Sequence, residues 1–189
     1  MDVFAGIRDP KRLVRGRLSA LIADERERAR FHIRLLRLEE PDASLDRVAH
    51  RIIERWSAVA AFEGGVTGAA GLLGIPVNAV LFTYCQLAVA VSVAEAYGIE
   101  LEGESGEDAV LQVVGRAHGM EEVVRASPRV LGALVRTLAL KGGLPLLGRA
   151  VPFVAAPVGA RLNRRDLART GAEALRRFGR VVMVDEPRG

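Results

Sequence analysis

Between Val66 and Ala94 the chain carries no Asp, Glu, Lys, Arg or His, a run of 29 residues in a sequence that is 26% charged overall. A helix built from such a run has no polar face to offer water, so it must lie in a core or against lipid. The approach to it is rich in glycine. Gly64, Gly65, Gly68, Gly71 and Gly74 fall mostly three or four residues apart within Glu63–Asn78. That spacing puts several positions without a Cβ near one helical face, where another backbone or a lipid surface can come close. Pro76, whose missing N–H costs nothing at a first helical position, is expected to open an apolar helix to Tyr97, with Gly98 as its carboxyl cap. The pattern predicts a helical hairpin that turns near Gly71–Ile75.

The hairpin's first arm is the clearest amphipathic element. Ser44 can cap a helix in which Leu45, Val48, Ala49, Ile52, Ile53, Trp56, Val59 and Ala60 form a stripe at 3.6-residue spacing. Upstream, Pro10–Leu38 reads as a highly charged helix with weak apolar periodicity, ended by Pro41. Downstream, Glu100–Gly106 reads as an acidic loop and Ser105 as the cap of a helix over about 106–117, interrupted by Gly119. Glu107 and Asp108 read as solvated acids at its positive dipole end. Ser127-Pro128 is expected to open a helix to Leu140. Residues 144–160, broken by Pro145, Pro152 and Pro157, are expected to form two short segments. Asn163 is then the expected cap of a last helix with Leu167, Gly171, Ala174, Leu175 and Phe178 inward, and only Val181–Val184 hints at a strand. The expected fold is all-α: a single-domain helical bundle with a glycine-rich hairpin and a central apolar helix. It divides into a charged amino-terminal helix (1–42), a helical domain (43–180) and a tail (181–189).

The net charge of +4 conceals a strong pattern. Residues 95–127 hold eight acids and two bases, whereas 128–160 hold four bases and no acid, and 161–189 hold eight bases and four acids. Basic segments beside apolar ones are drawn to an anionic bilayer, by about 1 kcal/mol per base close to its surface. Arg164, Arg165, Arg169 and Arg176 of the last helix are the candidate basic surface. The same arginines also fit an ordinary solvated face.

Little in the sequence suggests catalysis. There is no phosphate-binding lysine loop, no GxGxxG, no GxSxG and no HExxH. His32, His50 and His118 lie in separate elements without metal-ligand spacing, and Glu121-Glu122 reads as solvated. No catalytic residue, metal or cofactor is expected. Cys85, the one cysteine, reads as an inert buried thiol. The basic stretch near residue 11 leads into charged helix rather than an apolar core, so no signal peptide is expected and a cytoplasmic location follows. Nucleic-acid binding finds no recognition motif beside the interleaved charges. Asn78, one turn into the apolar helix, needs partners if it is buried.

The glycine run Glu63–Gly74 with Ile75-Pro76, the apolar helix ending in Ala96-Tyr97-Gly98, and the block Leu144–Pro152 with Val158-Gly-Ala-Arg-Leu-Asn163 resemble the EcsC family of bacterial proteins. The likeness covers roughly residues 45–180 and leaves the charged amino-terminal helix outside. It implies a helical protein whose glycine-rich hairpin associates with membranes, and it supplies no reaction. The family often has Asp just after the proline of the glycine run, where this chain has Asn78. The function expected is therefore non-enzymatic: a cytoplasmic protein peripheral to the inner face of the cell membrane. Anionic lipid or a membrane protein would be its partner, and a homo-oligomer is open. The alternatives are a soluble protein–protein interaction module and a carrier holding a hydrophobic ligand between helices.

Overall fold

The computed structural model describes residues 10–69, 74–120 and 152–185. Within them lie α1 (Pro10–Glu39), α2 (Leu45–Ala69), α3 (Gly74–Ala96), α4 (Gly103–Ala117) and α5 (Pro152–Asp185), with no strand among the described residues. The fold is an all-α bundle. The turn at Gly71, the helix expected over 127–140 and residues 144–151 lie outside the described residues.

The uncharged run forms the axis of the molecule, and α3 touches each of the other four helices. From Phe82 onward its side chains are almost wholly enclosed, with Ala88, Val89, Ala90, Val91, Val93 and Ala94 having no exposed surface. Its start is different: Val80 and Leu81 stand in solvent. The expectation of a central helix buried on every face therefore fails at Val80 and Leu81. Gly98, at φ 72°, stops α3 in the left-handed conformation, and Ile99 N–H reaches back to Ala94 O at 2.9 Å. At the other end α3 opens two residues before Pro76. The proline sits in the first turn, where backbone N–H groups have no intrahelical partner to lose.

Residue pairs fix the packing directions. Thr67 meets Asn78 and Asp46 meets Tyr97, so α2 and α3 run antiparallel. Gly64 abuts Gly159 and Ile53 abuts Gly171, so α2 and α5 are antiparallel too, sharing the largest helix–helix interface. Ser44 caps α2 as expected, its Oγ accepting from Arg47 N–H at 3.2 Å. The α2 stripe is buried at Val48, Ala49, Ile52, Ile53 and Ala60, but Val59 faces solvent.

Several elements depart from the expected boundaries. The last helix begins at Pro152 and runs through Pro157, so 152–160 is not a pair of short segments. Pro157 lies in the second turn, where it removes one helical bond while the Gly64–Gly159 contact holds the segment in place. Val181–Val184 belong to the same helix. α4 starts at Gly103 rather than 106, with Glu102 at the cap position and Ser105 Oγ donating to Glu102 O at 3.2 Å. Glu107 is buried and accepts from Ser19 of α1, so it is a structural acid and not a solvated one. α1 hides a stripe of Leu18, Ile22, Glu25 and Ala29 against the bundle. Glu25, almost fully buried, accepts from Tyr84 Oη and from Arg28 at 2.6 Å, while Arg26 and Arg30 both hold Glu95 of α3.

Candidate functional site

The carboxyl end of α2, the start of α3 and the early turns of α5 converge at one end of the bundle. Glycine decides how closely they approach. A Cβ on Gly64 would lie 2.6 Å from the carbonyl oxygen of Gly159, and one on Gly159 would lie 2.5 Å from that of Gly64. Neither position admits a side chain without moving a backbone. Gly65, one residue on, has ordinary space: its Cβ would sit 3.9 Å from Ala160 Cβ.

Beside this crossing a polar knot ties all three helices. Asn78 Oδ1 accepts from Asn163 Nδ2 at 2.8 Å and from Thr67 Oγ1 at 2.9 Å, and the same Thr67 hydroxyl lies 2.8 Å from Glu63 O. Asn163 is thus no helix cap. It sits well inside α5, buried, with its amide directed at Asn78. One turn back along α2, Glu63 takes a long hydrogen bond from Cys85 Sγ at 3.4 Å, and its Oε1 has no hydrogen-bond partner. Burial pushes the Glu63 carboxyl above its ordinary range, and the Cys85 bond opposes this more weakly. The Cys85 thiol is pushed up to about 12, first by burial and then by the charge of Glu63.

Around this closed end the surface is apolar. Phe62 is 75% exposed, Val66 55%, Val80 64% and Leu81 42%, and Val158, next to Gly159, is also open to solvent. They come from three helices but share one end, because the Gly64–Gly159 contact and the Asn78 knot draw those helices together there. Arg161, Arg164 and Arg165 are exposed on the next turns of α5 and form no ion pair among the described residues.

The expected site residues divide accordingly. Gly64, Gly65 and Asn78 meet α5 at the tip, Gly68 lies on the last turn of α2, and Gly74 and Pro76 lie on the first turn of α3. Gly71 falls outside the described residues. Of the four arginines expected to form a basic surface, all are exposed, but only Arg164 and Arg165 lie near the tip. Arg169 pairs with Asp166 at 3.0 Å and Arg176 pairs with Glu173, further along α5.

No protein-family model, curated protein or solved structure matches this chain. Its chemistry has to be read from the side chains themselves.

Those side chains hold no cluster of three or more His, Cys, Asp or Glu suited to a metal among the described residues. His50 is exposed with Nδ1 2.7 Å from Asp46 O, and His118 is buried with Nε2 2.7 Å from Gln86 Oε1, which also lies 3.3 Å from Thr170 Oγ1. These contacts lock α3 to α4 and α5. The exposed apolar set at the tip was not singled out from sequence. Its signal was present, since Phe62 and Val66 fall on the face of α2 opposite Ala60, Gly64 and Thr67.

Proposed function

We propose that the protein is a non-enzymatic helical protein that associates reversibly with anionic membrane surfaces through the α2/α3 tip, as the resemblance to the EcsC family implies. The observation that carries this reading is the exposed set Phe62, Val66, Val80, Leu81 and Val158. Apolar side chains of this size, gathered from three helices at one end and rimmed by arginines, suit insertion to the depth of the headgroup boundary. Arg161, Arg164 and Arg165 can lay their methylene stems along the apolar surface and hold their guanidinium groups at phosphate level. Each would add about 1 kcal/mol near an anionic leaflet.

Residues Asn78–Ala96 are long and apolar enough to cross a bilayer, yet most of that stretch is already enclosed by the other helices. Crossing would require the bundle to open and expose Gln86 and Ser92. Docking by the tip needs no such change, so a peripheral location on the inner, anionic face of the cell membrane is the favoured form. The test is liposome flotation. Wild-type protein should float in proportion to phosphatidylserine content and less at high salt, and Phe62→Ser with Val80→Ser should reduce flotation without altering the melting temperature. Absence of flotation on any anionic vesicle would point instead to a protein partner for this surface.

A further inference from the structure

A second feature lies toward the other end of α2. Although α1 and α2 follow one another in the chain, α1 packs mainly on α3 and leaves a cleft of about 250 Å³ between itself and α2. Buried Ala29, Ile52 and Ser92 form its floor, Leu36 and Trp56 its apolar walls, and His32 and Arg55 its basic side. Phe31 meets His32 edge-on, with ring centroids 5.8 Å apart.

The charges around the cleft are not balanced. Glu40 is held by Arg47 and by Arg51 at 3.2 Å, Glu54 of the cleft wall lies 3.9 Å from Arg51, and Glu25 is held by Arg28 and Tyr84. Each of these three acids has a basic partner. Arg55 has no ion pair among the described residues. Burial, and after it the charge of Arg55, lowers the pKa of His32; a backbone hydrogen bond at Arg28 and the charge of Glu25 oppose this without reversing it. The imidazole is therefore neutral near pH 7 with its one N–H engaged by the backbone at Arg28, so Arg55 alone supplies positive charge to this side of the cleft. A concave, mostly apolar wall with a few convergent polar groups is the form of a small-ligand site, and this volume falls just under the ~300 Å³ at which sites for drug-sized molecules begin.

We infer that the cleft between α1 and α2 binds a small organic anion, a carboxylate or phosphate monoester on a short apolar body, with the anionic head on Arg55 and the body against Trp56 and Leu36. This site is separate from the membrane-facing tip and does not depend on it. Trp56 is the only tryptophan in the chain, so its fluorescence reports on the cleft directly. The probes are octanoate and octyl phosphate in lipid-free solution below their micelle concentrations, with octanol and octylamine as controls and calorimetry run in parallel. At least one anion should give a saturable change in Trp56 emission and in heat, and comparing the two identifies the preferred head group. Arg55→Gln should weaken that binding at least tenfold with an unchanged circular dichroism spectrum. The inference is overturned if neither anion saturates, if octanol binds as tightly, or if Arg55→Gln binds like wild type.

Discussion

Glu63 is the one charged residue in α2 beyond Arg55, and it sits where ionisation is opposed by burial. A carboxyl whose folded pKa is raised contributes stability that is complete below its unfolded value and is lost as pH rises through the folded one. The difference in melting temperature between Glu63→Gln and wild type isolates this effect from the other carboxylates. It should be small near pH 4, grow as pH rises above about 4.5, and favour the glutamine variant at pH 7. A difference that is flat with pH would show that Glu63 is solvated. Its neighbour Cys85 offers a second check, because a buried thiol pushed up to about 12 is almost wholly protonated at neutral pH. Ellman's reagent at pH 8 should leave native Cys85 unmodified for hours and titrate one thiol in denaturant. Rapid reaction of the folded protein would contradict the burial.

Among the elements, the α2–α5 crossing makes the sharpest distinction between adjacent positions. Gly64→Ala forces a Cβ against a backbone carbonyl and should destabilise by about 1–3 kcal/mol. Gly65→Ala meets Ala160 at an ordinary contact distance and should be neutral or gain up to about 1 kcal/mol from reduced unfolded-state freedom. Chemical denaturation of the two variants settles the comparison, and equal effects would remove the case for a glycine-mediated contact. Asn78→Ala should cost about 1–3 kcal/mol, because it leaves the buried Asn163 amide without its acceptor. Glycine spacing made a close approach legible in the sequence. It could not say which glycine meets which helix, because the partner, Gly159, lies more than ninety residues away. Asn163 shows the same limit. Local chemistry favours an asparagine as a cap, and only the register of α5 against α3 reveals its bond to Asn78. α1 misled for a different reason: its inward stripe passes through Glu25 and Ala29, which hide the period that Leu18 and Ile22 begin.

On the scale of the whole molecule, composition and periodicity were enough to give an all-α bundle around one apolar helix. They could not show that the axis surfaces at Val80 and Leu81, because a helix apolar on every face carries no mark of where its neighbours stop covering it. That uncovered end is where the protein would meet a membrane. Cys85 is expected to resist thiol reagents, so an environment-sensitive nitrobenzoxadiazole label can be placed at Phe62→Cys, Val80→Cys or, as a control far from the tip, Arg176→Cys. Adding vesicles rich in phosphatidylserine should shift the emission of the first two labels to the blue and brighten it, while the label at 176 stays near its aqueous spectrum. Equal responses at all three positions, or none at 62 and 80 while the protein is bound, would contradict insertion by the tip.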